Sequence, residues 1–216
     1  MTFKPQLFVL LLLVSLTSAN VQGATVTFDF LGTAGADLDG TSMGTTSVTV
    51  DGITLNLTAI SQVDGFTADE FNQTASGGGN FGINAPGSAD STDALDGAEG
   101  IESILFSVTS SVPLSSLTLD TFDFDRITNA GGDAGQLSFA GGGSTISFTN
   151  ATVATGDVLT VNESITTGQT FTLAFVAGNG FGLESLTFTA TAVAVPEPSS
   201  LGFLLLAATG LFVRRR

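Results

Sequence analysis

Acidic and amide side chains are concentrated in a glycine-rich stretch in the middle of the chain, and they are its best candidates for chemistry. Within residues 84–102 the hard oxygen ligands are Asn84, Asp90, Asp93, Asp96, Glu99 and Glu102. Calcium takes about six to eight oxygen ligands in a tolerant geometry, and the neighbouring glycines would let the backbone curve and offer its carbonyls. The stretch is therefore a candidate calcium site.

The spacing of these residues matches no standard calcium loop. Asp90, Asp93 and Asp96 recur at every third position, whereas the acidic positions of an EF-hand alternate. The nonapeptide calcium repeat does not fit either. A solvated acidic loop without an ion explains the same composition, so both interpretations stay open. Further candidate ligands on other loops are Asp37, Asp39, Asp123 and Asp125.

Side-chain types on which many enzymes depend are missing, because the chain has no His, Cys, Trp or Tyr. Ser–His and Cys–His nucleophilic pairs, His-bound zinc and redox thiols are thereby excluded. A pair of carboxylates could hydrolyse a glycoside, but with 20 acidic residues some suitable pair is inevitable. We therefore expect a protein that is not an enzyme, with a hydrolase as a minor alternative.

The charge is strongly acidic, with a formal net charge of −15. Of the five basic residues, Lys4 and Arg214–Arg216 lie at the ends, so Arg126 is the one cation between them, and we expect it to pair with Asp123 or Asp125. Such a polyanion should repel nucleic acid, which we exclude as a partner. Without cysteine no disulfide can form, so apolar packing must hold the fold, and we expect most of the 18 phenylalanines in the core.

The end of the chain differs in composition from the rest. Val195, Pro196, Glu197 and Pro198 precede an apolar run over residues 201–213, and Arg214, Arg215 and Arg216 follow it. As a helix this run would be about 20 Å long, which is less than the roughly 30 Å hydrocarbon core of a bilayer. The prolines prevent the helix from extending upstream, and the arginines favour the cytoplasmic side. We expect a short transmembrane helix with the bulk of the chain on the opposite side.

This arrangement resembles the PEP-CTERM sorting domain of Gram-negative bacteria over residues 195–216. The resemblance implies that an exosortase recognises the region of Pro196-Glu197-Pro198 during a transient stay in the inner membrane. The helix and the arginines would then be removed, and the protein would pass to the cell surface or the extracellular matrix. A permanent membrane anchor is the alternative. A lipid anchor is excluded, because there is no cysteine to acylate.

The beginning of the chain predicts export as well. Lys4 supplies the positive charge, residues 7–16 an apolar run, and cleavage is plausible after Ala19, Gly23 or Ala24. We divide the chain into a signal peptide (1–23), one extracellular domain (24–194) and a sorting signal (195–216). One domain is the usual outcome for a middle segment of this size.

The middle segment is predicted to be all-β. The clearest signal is a hairpin over residues 47–57, where two alternating runs flank the type I′ turn Asp51-Gly52. Further strands are predicted over residues 25–31, 101–108, 114–124, 136–140, 144–149, 158–161, 170–177 and 183–192. A change of phase after Leu119 predicts a β-bulge near Asp120.

Two segments give no clear strand signal. Residues 60–71 fit either a strand or a helical turn, and residues 72–100 are predicted to be irregular, with Phe81 and Ile83 the only strong apolar pair before Leu95. Nine or ten short strands with frequent turns predict an antiparallel β-sandwich or jelly roll.

The function that these features predict is that of an exported surface or matrix protein, a structural or interaction component of exopolysaccharide or biofilm. Its partners would be the exosortase, the inner membrane transiently, and an exopolysaccharide. A carbohydrate-binding module, with or without calcium, is the first alternative, since both a jelly roll and a calcium loop suit it. A permanently anchored surface protein is the second.

Overall fold

The computed structural model describes residues 23–30, 45–61, 70–73, 81–84, 94–97, 100–127, 130–141, 143–153 and 156–193. These residues belong to one compact unit. They contain no helix, and their twelve strands are β1 (Ala24–Asp29), β2 (Thr45–Val50), β3 (Ile53–Ser61), β4 (Glu70–Gln73), β5 (Phe81–Asn84), β6 (Glu102–Ser110), β7 (Leu114–Asp125), β8 (Ala134–Phe139), β9 (Thr145–Thr149), β10 (Val158–Ser164), β11 (Thr170–Ala177) and β12 (Gly182–Ala192).

The strands form two antiparallel sheets. Sheet A has the order β10-β7-β12-β5-β4, and β1 also pairs with β12. Sheet B has the order β2-β3-β6-β11-β8-β9. The prediction of an all-β, antiparallel fold is confirmed.

Strict alternation of apolar and polar residues explains why these segments are strands with one buried face. Along β6, the buried positions Glu102, Ile104, Phe106 and Val108 alternate with partly exposed ones. Successive side chains of a strand point to opposite faces, so each sheet has one apolar and one polar face. The apolar faces of both sheets contribute to a single cluster of buried residues.

Phenylalanine dominates that core and joins the two sheets. Phe106 of sheet B meets Phe122 of sheet A edge to face at 6.1 Å between ring centroids, and Phe124 of sheet A stacks on Phe148 of sheet B at 4.9 Å. Every phenylalanine that the structure describes is buried: Phe28, Phe30, Phe71, Phe81, Phe106, Phe122, Phe124, Phe139, Phe148, Phe171, Phe175, Phe181 and Phe188. The expectation that the phenylalanines lie in the core is confirmed for these residues.

The predicted hairpin and bulge are both confirmed. Asp51 and Gly52 have φ values of 49° and 79°, and a type I′ turn needs positive φ at both central residues. Between β7 and β12, Thr187 pairs with Thr121 whereas the next residue pairs with Leu119, so Asp120 is the extra residue of a bulge.

The prediction that residues 72–100 are irregular was wrong at β5 and at the last two residues of β4, which begins in the segment where a strand was one alternative. β5 pairs with β4, and Leu183 of β12 pairs with Phe81. A further bridge joins Leu95 to Phe181. A four-residue strand gives only two inward positions, here Phe81 and Ile83, which is too short a pattern to predict. Burial against the other strands, and not local propensity, makes this segment extended. The total of twelve strands therefore exceeds the nine or ten predicted.

Candidate functional site

Two residues of the predicted calcium stretch come together inside the domain. Glu102 begins β6 with its side chain turned inward, and Glu102 and Asp96 are only 1% and 5% exposed. The backbone N–H of Asp96 donates a hydrogen bond to Oε2 of Glu102 at 2.9 Å. Leu95 holds this segment in place, because it exchanges backbone hydrogen bonds with Phe181 at 2.8 and 3.1 Å.

The other members of the predicted set lie partly beyond the structure. Asp90, Asp93 and Glu99 are outside the described residues, and Asn84 is described only as the last residue of β5. Within the described ranges, no three acidic side chains are close enough to hold a metal ion. The calcium site therefore stays a prediction, of which the structure places Asp96 and Glu102.

A third buried carboxylate, that of Asp133, is hydrogen-bonded to a residue that lines an open cleft. Oδ1 of Asp133, which is 2% exposed, accepts a hydrogen bond from the backbone N–H of Asn179 at 2.7 Å. The cleft has a volume of about 450 Å³ and is lined by Asp96, Gly97, Phe175, Ala177, Gly178 and Asn179. Sequence reasoning missed Asp133, because its role depends on a loop 46 positions further along the chain.

An acidic cluster, which we define as Asp29, Asp123, Asp125, Asp157 and Glu184, lies at one end of sheet A. The register brings it together, since Ser185 pairs with both Asp29 and Asp123. Burial raises the pKa of Asp123, and the negative charge of Asp157 raises it further. A backbone hydrogen bond at Phe124 opposes these two effects and is the smallest of the three. Burial raises the pKa of Glu184 too, and the other four carboxylates of the cluster add to it.

Arg126 follows this cluster and pairs as predicted. Its Nε lies 3.2 Å from Oδ2 of Asp125, with both side chains partly exposed. A positive φ of 63° at Arg126 ends the strand at this point. A partly exposed ion pair of this kind contributes little to stability.

The outward face of sheet B has the opposite character, and we call it the neutral face. Among the outward residues that the structure describes there, none is charged. Most carry hydroxyl or amide groups: Ser47, Thr49, Thr54, Asn56, Thr58, Ser103, Ser107, Thr109, Gln136, Ser138, Thr145, Ser147, Thr149, Thr170 and Thr172. Ile60, Leu105, Ala134, Ala174 and Val176 complete it. The charged side chain of β6, Glu102, points into the core instead.

The two ends of the domain meet in sheet A. Ala24, the first residue of β1, pairs with Ala190 near the end of β12. The backbone N–H of Val193 donates a hydrogen bond to the carbonyl of Pro113 at 2.9 Å. Everything after Val193 lies outside the described residues, including the predicted helix and the residues Val195, Pro196, Glu197, Pro198, Arg214, Arg215 and Arg216. Across the described ranges, no helix has the length and apolar character that a membrane span requires.

Comparison with known proteins identifies one segment. A PEP-CTERM protein-sorting motif matches residues 194–216, which confirms the resemblance found in the sequence. No curated protein and no solved structure matches the chain. The motif indicates exosortase-dependent sorting of an exported protein to the cell envelope or surface.

Proposed function

We propose that this chain, with its PEP-CTERM protein-sorting motif at residues 194–216, is an exosortase substrate of a Gram-negative bacterium and a structural or interaction component of the extracellular polymer matrix. Its body would be the β-sandwich expected from two antiparallel sheets that share one core. The observation that carries the proposal is the order of the parts along the chain. The domain is held by hydrogen bonds up to Val193, and the motif begins at the next residue.

The last hydrogen-bonded residue of the domain, Val193, is close along the chain to Pro196, and this affects processing. Only Ala194 and Val195 separate Val193 from Pro196, and an extended chain advances at most about 3.6 Å per residue. The enzyme would therefore act on a chain that is already folded to within a few residues of Pro196. Proline lacks the N–H that strand pairing requires, so a segment bracketed by Pro196 and Pro198 would suit recognition by a processing enzyme.

Each part of the tail has a role in this proposal. Val195, Pro196, Glu197 and Pro198 would form the recognition segment for the exosortase. The apolar run would hold the protein in the inner membrane until processing, and Arg214, Arg215 and Arg216 would keep its end on the cytoplasmic side. Because the run is shorter than the bilayer core, it suits a transient stay better than permanent residence. A permanent anchor would leave the same tail intact.

The composition of the body supports a role outside the cell. Its large negative charge keeps a protein soluble, and a core of phenylalanines needs no oxidation to form. Calcium is the one cofactor that we propose, at the stretch of residues 84–102. Its support is that Asp96 and Glu102 are both buried and that the Glu102 carboxylate accepts a hydrogen bond from the backbone N–H of Asp96. An exopolysaccharide is the proposed partner in the matrix, and the neutral face favours a carbohydrate-binding role in particular.

The experiment is to express the chain with an exosortase and measure the intact mass of the protein inside the membrane and outside the cell. The double variant Pro196→Ala, Pro198→Ala should remain in the membrane at full length apart from its signal peptide. A matched control, Ser199→Ala with Ser200→Ala, should be released like the original protein. Release of the proline variant with an unchanged mass distribution would contradict the proposed recognition segment, and an intact tail on the original protein would favour the permanent anchor.

A further inference from the structure

The neutral face is organised in rows that cross the strands of sheet B. One row runs through Ser47, Asn56, Ser107 and Thr170, which are successive partners in the register. A second row runs through Thr58, Leu105, Thr172, Ser138 and Thr145. Neighbouring strands lie about 4.8 Å apart, so the second row is about 19 Å long, and successive rows are about 6.7 Å apart. The side chains thus present a regular lattice of hydroxyl and amide groups.

The absence of charge on this lattice is unexpected for so acidic a protein. Sheet A carries Asp29, Asp120, Asp123, Asp125, Glu163 and Glu184 on its strands. The outward positions of sheet B that the structure describes carry no charge, although surface positions are where charged residues are normally found. The partner of a face usually complements it in charge. A neutral face on a polyanion therefore points to a partner that is itself neutral.

The side chains of the neutral face indicate which chemical groups its partner carries. A Ser or Thr hydroxyl both donates and accepts hydrogen bonds, and such short side chains lose little rotational freedom when they are fixed. A polymer of neutral sugars offers hydroxyl groups of the same dual character along an extended chain.

Apolar side chains of the neutral face would contact the apolar parts of a sugar, which hydroxyl groups cannot do. Leu105 lies between Thr58 and Thr172 in the second row, and Ile60 and Val176 are exposed by 37% and 55% on the same side. Sugar rings have one or two apolar faces, which usually rest on Trp or Tyr. Here small aliphatic groups would take that place, because the phenylalanines that the structure describes are all buried.

We propose that the neutral face of sheet B is a docking surface for a neutral polysaccharide, whose chain lies across the strands along the hydroxyl rows. This inference rests on the proposed function, since it identifies which surface meets the matrix polymer and what charge that polymer has. Each hydrogen bond to a sugar contributes little on its own. Binding would therefore depend on many repeated contacts along an extended polymer, as in other multivalent systems.

The test is co-sedimentation of the protein recovered from the cell exterior with insoluble neutral glucan, with covalently cross-linked, insoluble alginate beads as the anionic comparison polymer. The original protein should bind the glucan and not the alginate. The variant Thr58→Val, Ser107→Ala, Thr172→Val removes three hydroxyls from the centre of the face and should weaken binding about tenfold or more. The matched control Thr27→Val, Thr121→Val, Thr187→Val removes three hydroxyls that are aligned across sheet A and should leave binding unchanged.

A second pair of variants separates loss of binding from loss of folding. Thr172→Lys puts a charge at the centre of the neutral face and should also weaken binding, whereas Thr187→Lys on sheet A should not. All variants should keep the original melting temperature within about 3 °C, since none of the substituted side chains belongs to the buried core and substitutions at outward strand positions change stability little.

Three results would overturn the inference. The first is no binding of the original protein to neutral glucan, and the second is equal effects of the sheet A and sheet B variants. The third is a dimer in sedimentation velocity that Thr172→Lys converts to a monomer, because a second copy would then cover the face. None of these results touches exosortase processing, which the mass measurement tests separately.

Discussion

Gly135 of β8 lies directly opposite Phe148 of β9, and the ring of Phe148 fills the space that a side chain on Gly135 would need. A Cβ atom on Gly135 would collide with Cζ of Phe148 and would lie 2.7 Å from Cζ of Phe181. Glycine is normally unfavourable in a strand, because it contributes no packing. Here it is the packing partner of two aromatic rings that both contact Phe124, at centroid distances of 4.9 and 5.3 Å.

The first prediction concerns this contact. Gly135→Ala should lower the free energy of unfolding by about 1–3 kcal/mol, because the added methyl group overpacks the core. Phe148→Leu alone should also destabilise the protein, by creating a cavity. In the double variant, the smaller side chain makes room for the methyl group, so the combined loss should be less than the sum of the two single losses. Urea denaturation of all four proteins measures the coupling, and strict additivity would contradict the proposed contact.

The second prediction follows from the acidic cluster. The raised pKa values of Asp123 and Glu184 mean that folding favours their protonated forms. The stability that the protonated forms contribute is therefore fully present below the ordinary pKa of a carboxyl group. It is lost as the pH rises through the raised pKa values of the folded protein. At pH 7 both charges destabilise the fold, and Glu184→Gln should raise the melting temperature by about 1–2 °C.

The sign of this effect is checked by repeating the measurement in acid. The advantage of Glu184→Gln should shrink as the pH falls towards 4, because the original glutamate then becomes protonated. Glu163→Gln on β10 is the matched control, since that glutamate lies outside the cluster. An equal stabilisation by both variants at pH 7 would assign the effect to net charge and not to the cluster.

The third prediction tests calcium at residues 84–102. Calcium at millimolar concentration should raise the melting temperature relative to a chelator, because it binds only the folded chain. Glu102→Gln should remove this increase, since it takes away a carboxylate ligand. The amide oxygen of the introduced glutamine could still accept the hydrogen bond from the N–H of Asp96, so the variant isolates the charge. Identical melting curves with calcium and chelator would leave Glu102 only its structural role.

The fourth prediction concerns the turn between β2 and β3. Gly52→Ala should destabilise the protein by about 1 kcal/mol, because Gly52 has a φ of 79° and an added Cβ would lie 2.9 Å from Oγ of Ser111. Asp51→Asn should have little effect or stabilise slightly, since Asn tolerates positive φ at this turn position. Thermal unfolding of the two variants checks this, and a neutral Gly52→Ala would show that the turn can change its type.

The sequence by itself determined the strands whose patterns are local. The hairpin at Asp51-Gly52 needs only two residues with positive φ between alternating runs, and the bulge at Asp120 follows from a change of phase along β7. The sorting motif is also local, since its proline-bracketed glutamate, apolar run and terminal arginines follow one another without interruption. These features could be predicted because each depends on neighbours along the chain.

Only the tertiary structure decided which distant residues share a surface or a contact. β5 is extended because Phe81 and Ile83 are buried by other strands, although its four residues carry too little pattern to predict a strand. Carboxylates from β1, β7 and β12 became one cluster through register, and Thr58 and Thr172 entered one row in the same way. Register over such separations is fixed by the packing of the whole core. No local run of residues contains that information.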